Sequence, residues 1–425
     1  MPALLLVSAL GSASAAALAD REVLPNGVVL LVAPRPAIPV VVVNVYVRAG
    51  SAFDPDDASG LANLTGELLR RGTARRTGPA LDRAIEFVGG SLEVEVGRDG
   101  ALVGLDVLRK DLDLGLDLLS DVLLEPTFPE EELRRKVSEI EASIRRSEED
   151  PTDVASRALR ELVYPGHPYS RPVEGTAQSV VTLTRAQVAE FYRRHYRPDV
   201  TVIAVAGDVR LDEVRSEIGR RLGRWVRPVD PPAQVPMAPA SPPVRSVRIT
   251  RELTQSTAFL GRPGLRQSDP DYFALAVASQ VLGGGSSSRL YLRVREERGL
   301  AYSVSSSLSP ARHGSSLIVA LQTRNDAVGQ AVDLVRQELG RLGREAVPAA
   351  ELEVARSFLI GSFPLRLDTT SKLARLLVGL EDLGLGLDYP DRYRERIRQV
   401  TAADVQRVAA RYLDPAGFSS VIVGK

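Results

Sequence analysis

The chain has 425 residues, 44% of them hydrophobic, and its 54 basic residues balance 54 acidic ones. This length allows about two or three domains with buried cores. The charge balance gives no sign of a basic surface for nucleic acid or membranes. There is no cysteine, and no two of the three histidines (His167, His195 and His313) lie three or four residues apart. Disulfides and thiolate zinc sites are excluded, and an internal zinc site built mainly from histidine is disfavoured.

The first residues are typical of an exported protein. Residues 2–10 are mostly apolar, and Ala17-Leu18-Ala19 forms a small-x-small cleavage signal before Asp20. We therefore predict a signal peptide at 1–19 and a periplasmic or secreted location, although the usual basic residues at its start are missing. A cytoplasmic location is the alternative. No later stretch is long and apolar enough to span a bilayer.

Strands and helices are predicted to alternate through the first half. β-Branched or alternating residues predict four strands, at 27–32, 40–47, 91–96 and 101–107. A turn at 98–100 joins the last two strands as a hairpin. Helices are predicted at 112–124 and 129–147.

A proline-rich segment divides the chain into two similar lengths. Seven prolines lie between Pro228 and Pro243, and proline interrupts helices and central strands. We predict a semi-rigid linker at 228–245, between an N-terminal domain at 20–227 and a C-terminal domain at 246–425.

The two halves end in the same way. Each has a helix capped by threonine, a proline turn and an apolar strand, and six identical residues are offset by 217 positions, as in Thr184 and Thr401 (401 − 184 = 217). The predicted fold class is therefore α+β, with two homologous domains. Each is a mostly antiparallel sheet flanked by helices.

Residues 60–73 carry a recognisable frame, Gly-Leu-Ala-Asn-Leu-Thr-Gly-Glu-Leu-Leu-Arg-Arg-Gly-Thr. It resembles the active-site helix of the pitrilysin/insulinase family of zinc peptidases, whose signature is H-x-x-E-H. In register, Asn63 and Glu67 replace the two zinc-binding histidines, and Gly66 replaces the general-base glutamate. The resemblance implies an α+β fold like that of the mitochondrial processing peptidase, with a degenerate zinc site.

The family's third zinc ligand is a glutamate on a downstream helix. Glu139 is the best match, and Glu141 is a competitor. Asparagine is a poor zinc ligand and glycine supplies no base, so we predict no metal in this chain. One alternative is an oxygen-rich cation site of Asn63, Glu67 and Glu139. Others are a solvated cleft that binds nothing, and an independent protease with a displaced metal site.

The second half carries a denser resemblance. Residues 282–304 contain Leu-Gly-Gly-Gly-Ser-Ser-Ser-Arg-Leu and Arg-Glu-Glu-Arg-Gly-Leu-Ala-Tyr-Ser-Val, similar to a block of the family's bacterial two-domain members. The resemblance implies that Arg295 and Tyr302 reach the scissile peptide bond. A tyrosine hydroxyl stabilises an oxyanion, and an arginine holds substrate carbonyls. From periodicity alone, Arg295 is a surface arginine paired with a glutamate, and Tyr302 is a strand residue at the edge of the core.

Glycine-rich segments complete the predicted substrate site. The resemblance implies an edge where a peptide adds as an extra strand, although Glu93 and Val94 depart from the family pattern. The predicted substrate-binding residues are Gly89, Gly90, Ser91, Gly283, Gly284 and Gly285.

These features together predict the non-zinc-binding subunit of a heterodimeric zinc metalloendopeptidase that acts on peptides or unfolded polypeptides. The chain is predicted to be inactive alone. It contributes Arg295 and Tyr302 in trans to a homologous partner that carries H-x-x-E-H and the zinc ion. The alternative is a catalytically inert structural or peptide-binding member of the family. No nucleic-acid partner is predicted.

Overall fold

The computed structural model describes residues 18–425, which form two sheets flanked by helices. This confirms the predicted fold class. Residues 1–17 of the signal peptide predicted at 1–19 lie outside the described residues. Among residues 18–425, no helix combines the length and the apolar character needed to cross a membrane.

The first half contains six strands and eight helices among the described residues. The strands are β1 Asp20–Val23, β2 Val29–Pro34, β3 Val40–Val47, β4 Ser91–Val96, β5 Ala101–Leu108 and β6 Thr201–Gly207. The helices are α1 Leu61–Leu68, α2 Gly78–Phe87, α3 Leu112–Leu124, α4 Glu130–Ser147, α5 Pro151–Val163, α6 Ala177–Val180, α7 Arg185–His195 and α8 Leu211–Leu222.

The second half contains five strands and six helices, together with a π-helical segment at Tyr291–Glu297. The strands are β7 Ser246–Thr250, β8 Gln255–Pro263, β9 Ala301–Ser309, β10 Ser316–Arg324 and β11 Ser419–Gly424. The helices are α9 Tyr272–Gly283, α10 Val328–Arg344, α11 Ala349–Ser362, α12 Thr370–Asp382, α13 Tyr389–Gln399 and α14 Ala402–Tyr412.

The two sheets repeat one topology. The first has the order β1-β2-β6-β3-β5-β4, and the second has the order β7-β11-β8-β10-β9. Each sheet is antiparallel except for one parallel pair, β2 with β6 in the first and β7 with β11 in the second. The first sheet has an additional antiparallel pair, β1 with β2. Helices α7 and α14 have bounds offset by 217 residues, and the side chains of Thr184 and Thr401 cap them in the same way. In each half the first strand of the hairpin, β4 in β4–β5 and β9 in β9–β10, lies at a sheet edge.

One helix of each half packs on the sheet of the other half. Helix α5 packs on β8 and β11, where buried Ala155, Leu159 and Val163 contact Phe259 and Val421. Helix α12 packs in turn on β3 and β6 of the first sheet. Its buried residues in that contact are Leu373, Ala374, Leu377 and Val378. Apolar burial therefore couples the two halves.

The proline-rich segment contains no helix or strand between α8 and β7. It is nonetheless packed against both halves. Nε2 of His167 lies 2.9 Å from the carbonyl oxygen of Pro236, and the Ala238 amide donates to the His313 carbonyl at 2.7 Å. Val235 is buried in the same cluster as Leu159. This segment is held at both sides rather than free in solvent.

Candidate functional site

Helix α1 is fixed at its beginning by a buried carboxylate. Gly60 adopts a φ of 96°, which glycine tolerates readily. The Asp54 carboxylate accepts hydrogen bonds from the Gly60 and Ala62 amides at 2.8 and 2.7 Å. Burial raises the pKa of Asp54 to about 7, although these two donors and Arg171 act in the opposite direction. The helix is anchored below by the buried side chains of Leu61, Leu64 and Leu68.

The sequence resemblance places Gly66 at the general base, and the space beside Gly66 is filled. A β-carbon added at Gly66 would lie 2.3 Å from Cγ2 of Val96 on β4. It would also lie 3.6 Å from the hydroxyl of Tyr196, which is buried without a hydrogen-bond partner among residues 18–425. A glutamate at this position would therefore require Val96 to move.

A lysine joins the two acidic positions of the degenerate site. The Lys136 ammonium lies 3.1 Å from a carboxylate oxygen of Glu67 and 2.9 Å from one of Glu139. The lysine side chain is only 12% exposed. Its hydrogen bond is the main reason that the pKa of Glu139 is lowered, with Arg135 contributing through its charge. The structure thus brings Glu67 and Glu139 together around an ammonium group.

The residues present do not fit a zinc ion. Zinc sites in proteins use three or four nitrogen, sulfur or carboxylate ligands, and here two carboxylates are already paired with Lys136. Asn63 forms no side-chain hydrogen bond within the part of the chain that the structure describes, and Glu141 pairs with Arg145 at 2.6 Å. Across residues 18–425, no three His, Asp or Glu side chains could hold a metal ion together.

Lys136 is the site residue that sequence reasoning missed. It lies one helical turn before Glu139, so the lysine and this glutamate share a helix face. That spacing is a local signal in the sequence. Its contact with Glu67 is not local, because the two residues lie far apart in the sequence, on helices α4 and α1.

In the second half, Arg295 and Tyr302 come together. The Arg295 guanidinium carbon lies 5.7 Å from the centre of the Tyr302 ring and 4.9 Å from that of Tyr291, within the range of cation–π attraction. Tyr302 is 74% exposed, so it is not a residue at the edge of the core. Among residues 18–425, the only ion pair of Arg295 is with Glu296, at 3.8 Å. The pair is therefore open to solvent.

A β-bulge turns Tyr302 outward. In the ladder between β9 and β10, Ser303 faces Gln322 and Ala301 faces Thr323, which leaves Tyr302 without a partner. An extra residue of this kind bends the strand and re-aims the side chain. Because β9 is an edge strand, the tyrosine meets no further strand of its own sheet.

The glycines before β4 form its entry turn. Gly89 has a φ of 66°, and a β-carbon on it would meet nothing within 4 Å. A β-carbon on Gly90 would lie 2.8 Å from the Asp106 carbonyl oxygen, so only glycine fits there without a shift. Ser91 then begins the edge strand. Whether a peptide binds along this edge stays a prediction.

The glycines after α9 have a packing explanation. A β-carbon on Gly283 would lie 2.4 Å from the backbone nitrogen of Ser306 on β9. One on Gly284 would overlap the side-chain amide of Gln280, whereas Gly285 is more open. At Gly283 the close approach of helix and strand therefore requires glycine, independently of substrate.

Family models match two successive segments of the chain. The family model "Insulinase (Peptidase family M16)" matches residues 29–177, and "Peptidase M16 inactive domain" matches residues 182–359. An uncharacterized zinc protease of Mycobacterium tuberculosis is 32% identical over 417 residues, covering 96% of this chain and 94% of that protein. The chain belongs to the M16 (insulinase) peptidase family. The resemblance stated from the sequence is thereby confirmed.

Other M16 relatives and solved structures span nearly the same length. An uncharacterized zinc protease of Bacillus subtilis is 26% identical over 391 residues, 91% of this chain and 93% of that one. A peptidase M16 inactive domain from Pseudomonas fluorescens has a TM-score of 0.90 at 26% identity, covering 96% and 97% of the two chains. A protease from Helicobacter pylori has a TM-score of 0.90 at 19% identity, with 96% and 99% covered, and shares the fold.

Proposed function

We propose that this M16 chain is the non-zinc subunit of a heterodimeric metalloendopeptidase. Its partner would be a homologous chain that carries H-x-x-E-H and the zinc ion. The observation that carries the proposal is a contrast between the halves. In the first half, Lys136 sits between the carboxylates of the degenerate site. In the second half, Arg295 and Tyr302 form an exposed pair, and in the described part of the chain Arg295 has one ion pair, with Glu296 at 3.8 Å.

The exposed pair has a chemical role that needs no metal on its own chain. The Tyr302 hydroxyl can donate a hydrogen bond to the oxyanion that forms when water attacks a peptide carbonyl. The Arg295 guanidinium offers fixed donors for neighbouring substrate carbonyls. Stacking against Tyr291 limits its rotation, and this lowers the entropy lost when substrate binds.

Extended peptides or unfolded polypeptides are the proposed substrates. Strands β4 and β9 are both sheet edges whose outer backbone groups pair with no strand among the described residues. Such edges accept an additional strand through main-chain hydrogen bonds. The acidic residues of β4 are partly engaged, since Arg70 binds Glu93 at 2.6 Å and Arg375 binds Glu95 at 2.8 Å.

Exposed apolar side chains offer a surface for the partner. Val354 and Phe358 lie one turn apart on α11 and are 52% and 53% exposed, and Leu365 beyond that helix is 60% exposed. Phe87, at the end of α2, is 91% exposed. Apolar residues of this size are typical of contact surfaces when they cluster. The apolar residues of the predicted signal peptide at 1–19 support assembly in the periplasm or outside the cell.

The proposal is tested by reconstitution. The purified chain is mixed with a homologous chain that has an intact H-x-x-E-H, and cleavage of an unfolded fluorogenic peptide is measured. We expect little activity from either chain alone and strong activity from the mixture. Tyr302→Phe should lower kcat by about 10²–10³, the usual effect of losing one oxyanion donor. Tyr412→Phe is the matched control, because it removes a tyrosine hydroxyl that donates to Asp271 at 3.3 Å, away from the Arg295–Tyr302 pair.

Two results would reject the in-trans role. One is a partner that cleaves equally well alone, and the other is an unchanged kcat in the Tyr302→Phe complex. The exposed edges of β4 and β9 then favour the second candidate, an inert peptide-binding subunit. Its signature is binding of a labelled extended peptide, measured by fluorescence anisotropy, without cleavage by the assembled complex.

A further inference from the structure

A polar pocket of about 260 Å³ lies apart from α1 and from the Arg295–Tyr302 pair. It is bounded by α4, by α5, by the β4–β5 turn and by the loop at 172–174. Its lining is rich in donors: the arginines Arg98, Arg157 and Arg160 and the serines Ser143, Ser147 and Ser156.

The guanidinium groups of this pocket lack strong partners. Within residues 18–425, Arg98 forms no ion pair and donates no side-chain hydrogen bond, and its Nε is buried without a partner. The Nε of Arg160 is also buried without a partner among residues 18–425. Its Nη1 donates a hydrogen bond to the Ser156 hydroxyl at 3.0 Å. Arg157 has a single long ion pair, with Glu148 at 3.4 Å. Unpaired buried donors of this kind are costly.

Two like charges are held close together here. Burial is the main reason that the pKa of Arg160 is lowered to about 10, and the charge of Arg98 lowers it further. Arg160 remains protonated at neutral pH, so the repulsion persists. Glu174 and Asp153 also line the pocket, but neither forms an ion pair with the three arginines in the described part of the chain. The pocket therefore has three cations and two unpaired acids.

Arg98 is held in place by its backbone. It lies in the tight turn closed by the hydrogen bond from the Gly97 amide to the Gly100 carbonyl at 2.8 Å. Its own carbonyl accepts from the Ala52 amide at 2.9 Å. The next residue, Asp99, is bound by the Tyr169 hydroxyl. The arginine is thus presented from a fixed turn, and this reduces the ordering cost of binding.

We propose that this pocket binds a small oxyanion with two negative charges, of which inorganic phosphate is the simplest. Guanidinium forks match the oxygen geometry of phosphate, and charge-assisted hydrogen bonds of this type are among the strongest in proteins. The hydroxyls of Ser143 and Ser156 add further donors, whereas that of Ser147 already donates to the Ile144 carbonyl at 2.8 Å. A volume of about 260 Å³ also leaves room for a small organic group, so a phosphate monoester is the second source of the same chemistry. This site is independent of the proposed peptidase role.

Isothermal titration of the full chain with sodium phosphate, at constant ionic strength, tests the site. We expect saturable binding with one site per chain. Arg98→Gln and Arg160→Gln should each weaken binding at least about tenfold, which corresponds to the loss of one charged hydrogen bond. Arg145→Gln is the matched control, because Arg145 is exposed on α4 and pairs with Glu141 outside the pocket. It should bind like the wild type.

Glu174→Gln is expected to tighten phosphate binding, because it removes a negative charge from the pocket lining. A misfolded variant would only weaken binding, so tighter binding distinguishes the two effects. Arg98→Lys, which keeps the charge but loses the fork, should fall between wild type and Arg98→Gln. A glycerol phosphate titration distinguishes the sources: tighter binding than inorganic phosphate assigns the site to an ester. Absence of saturable binding by both probes, or equal affinity in Arg98→Gln, Glu174→Gln and wild type, would overturn the proposal.

Discussion

Lys136 on α4 forms a 3.1 Å ion pair with Glu67 on α1, the residue that the sequence resemblance places at a zinc-binding histidine. The same ammonium group binds Glu139, the best match in the sequence to the family's third ligand. A single ammonium group therefore joins the two helices α1 and α4. An ammonium group has no open coordination position, so it cannot activate water as zinc does.

Lys136→Ala is expected to weaken the contact between α1 and α4. The carboxylates of Glu67 and Glu139 would then repel each other, but both are partly exposed, so the effect should be modest. We expect the thermal midpoint at pH 7 to fall by about 1–2 °C. Lys372→Ala, which removes a more exposed ion pair with Asp368, should change it less. Equal shifts in the two variants would contradict a special role for Lys136.

The effect of Lys136→Ala should also depend on pH. Lys136 holds the pKa of Glu139 below its ordinary value of 4.5. Stabilisation from a lowered carboxyl pKa is complete above the ordinary value and is lost as pH falls through the folded-state pKa. The difference in thermal midpoint between wild type and variant should therefore shrink in acid. A difference that grows below pH 4.5 would rule out this explanation.

Gly66→Ala tests whether Val96 fills the place of the missing base. Alanine favours a helix by about 1 kcal/mol over glycine, but the added carbon would lie 2.3 Å from Val96 Cγ2. We expect overpacking to dominate and to cost about 1–3 kcal/mol. In a Val96→Ala background the same change should be neutral or stabilising. The readout is a double-mutant cycle of unfolding midpoints, and additive effects would show that the two residues do not compete for space.

The exchanged helices should stabilise both halves. Leu159 on α5 and Leu377 on α12 are at most 1% exposed, and each contacts the other half's sheet. Leu159→Ala and Leu377→Ala should each cost about 2–5 kcal/mol, the usual effect of emptying a leucine site in a core. Leu365→Ala, at a residue 60% exposed, is the control. Calorimetric transitions in which either core variant matches the control would refute the coupling.

His195 should make the chain sensitive to acid. Its ring lies 4.4 Å from Phe191 and 5.2 Å from Phe53, measured between centres. Burial, followed by the charges of Arg194 and Arg197, lowers its pKa from 6.5 to about 4. The neutral form is favoured on folding, so this stabilisation is present above pH 6.5 and is lost as pH falls through about 4.

Between pH 7 and pH 4.5 the wild type should therefore lose about 2–3 kcal/mol that His195→Phe does not lose. Chemical denaturation of both proteins at the two pH values measures the difference. Parallel pH profiles would mean that His195 is not the sensor.

Local patterns in the sequence were sufficient for many elements. Strands β3 and β4 and helix α3 have the bounds predicted from β-branched runs, alternation and helical periodicity. The 217-residue offset seen in the sequence predicted that α7 and α14 would begin and end at equivalent positions, as they do. In these cases, the deciding interactions are short-range in the chain or arise from one repeated pattern.

Interactions between distant segments were not accessible from the sequence. The Lys136–Glu67 contact requires α4 to pack on α1. The lack of space for a side chain at Gly66 depends on Val96, which lies on β4. The bulge at Tyr302 arises from register with β10. Apolar spacing in α5 and α12 marks a buried face but does not say which sheet covers it.

The anchored proline segment and the two exchanged helices together constrain motion. Separating the halves like a clamshell would require losing the hydrogen bonds at Pro236 and Ala238. It would also pull α5 and α12 off the sheets they cover. Such an opening motion would cost as much free energy as partial unfolding. The two halves are therefore expected to move as one rigid body. In the heterodimer that we propose, a polypeptide would therefore enter at the interface with the partner chain, and opening of that interface would depend on the assembly.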